Sequence, residues 1–218
     1  MIEGYTTIGT NESAEQTIEK SKFIAVAAQV KNISEVDRHR QEVQYEYPNA
    51  RHYVYAYRLF NGRLEKASDD GEPQGTGGRP VLDLLQYKQV WDVQIIVVRY
   101  FGGVLLGTGG LTRAYGGTAR LALEKAGSAK LVPHHIYSLS IPYSWYEQIK
   151  YEFRQKGWGT GPEQFTEEII FEVYVPDGEE TGFENWVDDF TGKQVKHTKI
   201  NVDLRSSYFC GHLAKTNR

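Results

Sequence analysis

The sequence predicts an α+β fold in two domains, on the basis of three observations. Segments rich in β-forming residues alternate with segments of helical periodicity along all 218 residues. Hydrophobic residues make up 40% of the chain and charged residues 24%, which is typical of a globular protein with a sizeable core. Charge also divides unevenly, because residues 1–130 hold 16 Lys and Arg against 15 Asp and Glu, whereas residues 131–218 hold 9 against 13. The predicted domains are therefore 1–130 and 131–204, with 205–218 as a flexible tail.

The first half of the sequence predicts a mainly antiparallel sheet with three helices. The expected strands are residues 22–30, 51–60, 63–67 and 92–101, and the expected helices are 34–47, 80–87 and 111–126. Ser34 is the expected N-cap of the first helix, and Asn61–Gly62 predicts a hairpin turn. The long apolar run at 92–101 predicts a central strand, which is followed by a second glycine-rich loop at 102–110.

The second half predicts a ferredoxin-like βαββαβ arrangement. Strands are expected at 135–143, about 160–165, 167–175 and 194–204, and helices at 146–156 and 179–190. Asp177 or Thr181 is the expected cap of the second of these helices, and Gly157 is expected to end the first.

Composition excludes several classes of protein. A single cysteine, Cys210, rules out an internal disulfide framework and a cysteine zinc cage. The sequence has neither an apolar run long enough to span a membrane nor a recognisable secretory signal, so we expect a cytoplasmic protein with no membrane partner. A net charge of −3 argues against a wholly basic nucleic-acid coat, although it leaves room for a basic patch.

Glycine is concentrated where chemistry is expected, since 11 of the 22 glycines lie between Gly71 and Gly117. The loop that begins at Ser68 carries three carboxylates, Asp69, Asp70 and Glu72, which are weak candidates for a hard-cation site. A solvated acidic turn is the alternative interpretation. The glycines that follow lead into a helix start, where exposed backbone N–H groups attract anions.

A second set of residues predicts a surface for negatively charged polymers. Residues 113, 116, 117 and 120 share one face of a helix, which therefore carries two arginines with only glycine between them. Bare backbone allows close approach, and the planar guanidinium group suits phosphate. The candidate polyanion-binding residues are Arg79, Arg99, Gly102, Gly103, Gly109, Gly110, Arg113, Gly116, Gly117 and Arg120. Tight helix packing with solvated arginines is the alternative.

Two long strings connect the chain to a known family. Residues 69–80 (DDGEPQGTGGRP) and 97–115 (VVRYFGGVLLGTGGLTRAY), together with Arg51–His52, resemble the IMPACT family signature, and the whole chain resembles its bacterial, YigZ-like members. The resemblance implies a first domain similar to the second domain of ribosomal small-subunit protein five and a ferredoxin-like second domain. It also implies a link to regulation of translation, as in eukaryotic members. The signature-loop candidates are His52, Asp69, Asp70, Gly71, Glu72, Gly75, Thr76 and Gly77.

These observations support three functional hypotheses. The leading one is a non-catalytic module that binds RNA or the ribosome, with no cofactor. The first alternative is an enzyme acting on a phosphorylated small molecule or phosphodiester, in which Asp69, Asp70 and Glu72 hold Mg²⁺ and His52 is the general base. It requires those carboxylates to converge near Arg99. The second alternative is a protein-interaction scaffold.

Overall fold

The computed structural model describes residues 3–206, which divide into two compact units. One unit is Tyr5–Ala129, and the other contains the residues from Lys130 onward together with residues 3 and 4. No helix in this described part of the chain is both long and apolar enough to cross a membrane.

The Tyr5–Ala129 unit is built on a five-stranded antiparallel sheet. Its strands and helices in chain order are β1 (Tyr5–Ile8), β2 (Glu12–Ile18), β3 (Ser21–Gln29), α1 (Ile33–Glu46), β4 (His52–Leu59), β5 (Leu64–Ser68), α2 (Gly78–Tyr87), β6 (Val93–Tyr100) and α3 (Gly107–Ala126). The five strands of the sheet lie in the order β2-β3-β6-β4-β5, and β1 is not among them. Strand β6 is therefore central, as its apolar sequence predicts.

The sheet has a helical layer on each face, because side chains alternate along its strands. Ile95 and Val97 of β6 pack in the core beneath α2 and α3, whereas Ile96 and Val98 pack in the core beneath α1. Residues of β6 are therefore buried on both faces. The α2–α3 face and the α1 face are opposite sides of the unit.

Several boundaries in this unit differ from the prediction. Helix α1 begins at Ile33, and its N-cap is Asn32, whose Oδ1 accepts a hydrogen bond from the Glu35 N–H, so Ser34 is not the cap. Helix α3 begins at Gly107, four residues before the expected start. Gly109 and Gly110 therefore belong to the first turn of α3 and not to a loop, although glycine weakens a helix.

The second unit has the ferredoxin-like order. Its elements are β7 (Ser128–Ile141), α4 (Tyr146–Lys156), β8 (Gly159–Phe165), β9 (Ile169–Pro176), α5 (Glu180–Thr191) and β10 (Lys196–Ser206). Within the unit the strands lie in the order β10-β7-β9-β8, with antiparallel neighbours. Both helices cover one face, where Phe153, Phe171 and Phe183 form the centre of the core.

Three details of the second unit correct or complete the prediction. The residue at the N-cap of α5 is Glu179, so neither Asp177 nor Thr181 has that place. Gly157 ends α4 in the left-handed conformation, as predicted, with a φ of 78°. Arg205 and Ser206 belong to β10 and not to a tail. Cys210 and the rest of the expected tail lie outside the described residues.

Candidate anion-binding surface

The first glycine-rich loop is organised by Asp69. Its carboxylate accepts hydrogen bonds from the N–H groups of Gly75 at 2.8 Å, Gly77 at 2.9 Å and Gly78 at 2.8 Å. Burial alone would raise the pKa of Asp69, but these three backbone bonds outweigh it and hold the pKa below its usual value. Asp69 thus caps the start of α2 from a distance. The N–H groups expected to attract an external anion are already occupied, which corrects the anion-site interpretation of this loop.

Asp70 fastens the same loop to β4. Its Oδ2 accepts a hydrogen bond from the Tyr53 N–H at 2.6 Å, and its carbonyl oxygen lies 2.7 Å from Nδ1 of His52. Asp70 and Gly71 have φ values of 46° and 85°, so the chain reverses here through the left-handed region. Thr76 closes the loop from the other side, because its hydroxyl donates to the Pro73 carbonyl at 2.6 Å.

Glu72 is the centre of a buried polar network. Its Oε1 accepts a hydrogen bond from Arg99 Nη1 at 2.6 Å and another from the Tyr115 hydroxyl at 2.6 Å, and His52 Nε2 lies 3.8 Å away. Burial and the bond to Glu72 raise the pKa of Tyr115 far above its usual value, so the phenol stays protonated. This network ties the loop to β6 and α3. It also neutralises Arg99, so the prediction that Arg99 is a polyanion-binding cation is wrong.

The three carboxylates of this loop do not converge. Asp69 binds backbone N–H groups, Asp70 binds β4, and Glu72 binds Arg99 and Tyr115. They do not form a three-ligand group within residues 3–206. The metal-dependent alternative required convergence near Arg99, and only Glu72 meets that requirement.

The two glycines after β6, Gly102 and Gly103, are needed for the path of the backbone. A Cβ on Gly102 would lie 2.0 Å from the carbonyl carbon of Lys20, so only glycine allows the end of β6 to meet the β2–β3 turn. Gly103 has a φ of 85° with open space around its Cα. Both glycines therefore shape the second loop.

A pocket of about 480 Å³ joins the two glycine-rich segments. Its polar lining includes Arg51, His52 and the Glu72–Arg99 pair, and its apolar lining includes Phe101 and Leu105. The first residues of α3 also line it, and no side chain of residues 3–206 caps that helix start. The start of α3 is thus open, whereas the start of α2 is closed by Asp69. Arg51 belongs to the family signature but is not among the site residues that the sequence predicts, and the fold brings it to this pocket.

Helix α3 presents the predicted glycine and arginine face to solvent. Arg113 and Arg120 are exposed and form no ion pair in the described part of the chain, and the half-buried Gly116 and Gly117 lie between them. A groove of about 460 Å³ on the α2 side and another of about 500 Å³ on the β2 side flank this face, and both are lined by Arg113 and Gly117. The second groove shares Leu105 and Leu106 with the loop pocket, so the three depressions adjoin. We call this combined region the α3 surface.

Glycine is not needed for packing on this face. A Cβ on Gly116 would lie 3.5 Å from Pro80, and one on Gly117 would lie 3.5 Å from the Gln16 side chain, which are ordinary contacts. Arg79 lies beside the α3 surface, but it pairs with Asp83 at 2.7 Å. The free cations of the surface are therefore Arg51, Arg113 and Arg120 among the residues described.

One relative of this chain matches it over most of the length of both proteins. A protein of Bacillus subtilis named IMPACT family member YvyE is 34% identical over 192 residues, which cover 88% of this chain and 88% of that protein. The chain belongs to the IMPACT family. Residues 19–123 match the Impact N-terminal domain, and residues 139–193 match a domain of unknown function, DUF1949.

Other IMPACT relatives match shorter segments. The Escherichia coli IMPACT family member YigZ is 38% identical over 133 residues, which cover 59% of this chain and 64% of that protein. Protein IMPACT of Danio rerio is 44% identical over 63 residues, which cover 27% of this chain and 19% of that protein. A crystal structure of a hypothetical protein is 28% identical and has a TM-score of 0.60, with 92% of this chain and 99% of that chain covered. The family and the two-domain α+β fold are thus as predicted.

Proposed function

We propose that this protein is a non-catalytic module that binds RNA, with the ribosome as its context, through the α3 surface. Membership of the IMPACT family supports a role related to regulation of translation. The observation that carries the proposal is the pair of exposed, ion-pair-free arginines, Arg113 and Arg120, separated by glycine and flanked by open grooves. Guanidinium groups beside bare backbone allow phosphates to approach closely.

The arginines of the surface are suited to phosphate contacts. The side chains on the exposed ridge of α3 are arginines, which bind phosphate without regard to sequence. The open start of α3 adds backbone N–H groups at the adjoining pocket. The module is proposed as non-catalytic because Asp69, Asp70 and Glu72, the carboxylates of the Mg²⁺ alternative, each bind a partner within the protein.

Removal of the two arginines tests the proposal. Binding of single-stranded RNA, duplex RNA and ribosomal subunits is measured by filter retention from low to physiological salt. We expect Arg113→Ala with Arg120→Ala to weaken binding equally for all RNA sequences. The slope of log affinity against log salt should fall by about 0.7–0.9 for each phosphate that the variant no longer neutralises. The matched control is Lys31→Ala with Arg38→Ala, which removes two exposed charges beside α1, on the other side of the sheet.

A second variant separates close approach from charge. Gly116→Ala with Gly117→Ala adds two methyl groups in ordinary contact distance and should stabilise the helix by about 0.5–1 kcal/mol per residue. If polymer backbone approaches the glycine face, this more stable variant should nevertheless bind RNA more weakly. Absence of RNA and subunit binding at the lowest salt, or equal loss in the α1 control, overturns the proposal. Binding of subunits but not of RNA would instead favour a protein-interaction scaffold.

A further inference from the structure

Three metal-ligating side chains lie together in the second unit, far along the sequence from the α3 surface. Nε2 of His135 lies 2.8 Å from Oδ1 of Asp177 and 2.6 Å from Oε1 of Glu180. The three ligand atoms are all within 4.8 Å of one another, and no other group of three such residues occurs in residues 3–206. One ring nitrogen therefore faces two carboxylate oxygens.

The fold brings these residues together in a defined way. His135 lies on β7 and pairs with Val175 near the end of β9, and Asp177 follows directly after β9. Glu180, three residues after Asp177, is the first residue of α5. Gly178, with a φ of 90°, turns the chain between them, and its N–H donates to Oε2 of Glu180 at 2.6 Å. That bond leaves Oε1 directed at the histidine.

The charge of the cluster is incompletely balanced by the protein. Asp177 and Glu180 form no ion pair with Lys or Arg in the described part of the chain, so His135 is their common partner. Two carboxylates beside a neutral imidazole carry a charge of −2, and beside a protonated one −1. A divalent cation between the three ligand atoms would bring the total to zero.

In the described structure, the buried ring of His135 is held through one nitrogen. The His135 side chain is only 9% exposed, and its Nδ1 is buried with no hydrogen-bond partner in the described structure. A buried imidazole is normally held by bonds at both nitrogens. Among the described residues, the polar partners of the ring nitrogens are the two carboxylates at Nε2, so Nε2 is the nitrogen that the fold presents to the cluster.

We propose that His135, Asp177 and Glu180 bind a divalent transition-metal ion, with Zn²⁺ as the best match. One imidazole nitrogen and two carboxylate oxygens are a three-ligand set that zinc accepts, with water in the fourth position. Tetrahedral zinc with bonds of about 2.0–2.2 Å separates its ligand atoms by about 3.3–3.5 Å. The carboxylates must therefore move outward by less than about 1 Å, and Asp177, which is 54% exposed, has room to do so.

The test is titration of the metal-stripped, full-length protein with ZnCl₂ by calorimetry, and with Co²⁺ by visible absorption. We expect saturable binding of one ion per chain and a cobalt spectrum typical of nitrogen and oxygen ligands. Asp177→Asn with Glu180→Gln keeps the shapes of both side chains and should weaken zinc binding at least about 10-fold. Circular dichroism verifies that this variant is folded.

Two control variants make the assignment specific. His197 and Asp188 form a histidine–carboxylate pair at 3.1 Å in the same unit but without a second carboxylate. Asp188→Asn should therefore leave zinc affinity unchanged. Cys210→Ser with His212→Ala removes potential ligands near the end of the sequence and should also leave it unchanged. The proposal is overturned by the absence of saturable binding up to about 1 mM zinc, by unchanged affinity in the folded Asp177→Asn, Glu180→Gln variant, or by loss of binding in either control.

Discussion

We expect the buried Glu72–Arg99 pair to contribute measurably to the unfolding free energy of the Tyr5–Ala129 unit. The two side chains are 4% and 5% exposed, and Oε1 of Glu72 accepts hydrogen bonds from both Arg99 and Tyr115. Glu72→Gln keeps an oxygen acceptor of the same shape but removes the negative charge. Arg99 then becomes a buried cation without a counter-charge, which costs about 3–5 kcal/mol.

Restoration by a second substitution separates this mechanism from a general packing defect. The Arg99 guanidinium lies 5.4 Å from the ring centroid of Phe23 and 5.5 Å from that of Phe101. Methionine is long and apolar enough to occupy that space. Since well-packed apolar residues often replace a buried ion pair at little cost, Glu72→Gln with Arg99→Met should recover most of the lost stability. The expected coupling energy is about 3 kcal/mol.

Native-state hydrogen exchange is the appropriate assay, because it reports on one unit of a two-unit chain. Amides of β6 should exchange through unfolding of the Tyr5–Ala129 unit, and their exchange free energy gives its stability. Asp83→Asn breaks the exposed Arg79–Asp83 pair and should cost no more than about 0.5 kcal/mol. A loss of unfolding free energy below about 1 kcal/mol in Glu72→Gln would refute the reasoning. So would a double variant whose loss equals the sum of the losses in Glu72→Gln and in Arg99→Met.

Two further predictions concern the glycine-rich loops. Asp69→Asn should cost about 1–3 kcal/mol, because an amide cannot accept all three backbone N–H bonds. Since the folded-state pKa of Asp69 is depressed, its contribution is complete above the unfolded value of about 3.9 and is lost as pH falls through the folded value. The stability difference from the unaltered protein, measured by urea unfolding, should therefore be full above the unfolded value and shrink as pH falls below it, and a pH-independent difference contradicts this prediction. Gly102→Ala forces the Lys20 backbone away and should destabilise the unit by more than about 2 kcal/mol in thermal or urea unfolding, whereas a cost under about 1 kcal/mol shows that the backbone relaxes freely there.

The sequence predicted the parts of the fold that depend on local pattern. The apolar run of β6, the glycine that ends α4 and the order of elements in the second unit are properties of neighbouring residues. Strand β2 was missed because its sequence, ESAEQTI, is polar and lies at the edge of the sheet, where only one face is partly buried. Such a strand has little apolar alternation to recognise.

Pairings across the chain were beyond the reach of sequence reasoning. The sequence places Glu72 and Arg99 27 residues apart, and nothing local indicates that one neutralises the other. Likewise, Asp69 was interpreted as a candidate metal ligand because acidic residues beside glycine fit both roles. Only the turn that returns the chain to Asp69 shows that its carboxylate serves the start of α2.

The two glycine-rich segments look alike in sequence but differ in what they leave accessible. The first is closed by its own carboxylate, and its glycines let the backbone fold around Asp69. The second opens on a pocket at the start of α3 and continues into a helix in which Gly116 and Gly117 are not required for packing. Glycine inside a helix costs stability relative to alanine, so a face that carries two of them without a steric need is better explained by something outside the chain. That cost is the reason for expecting the ligand at Gly116 and Gly117, between the arginines, and not at the first loop.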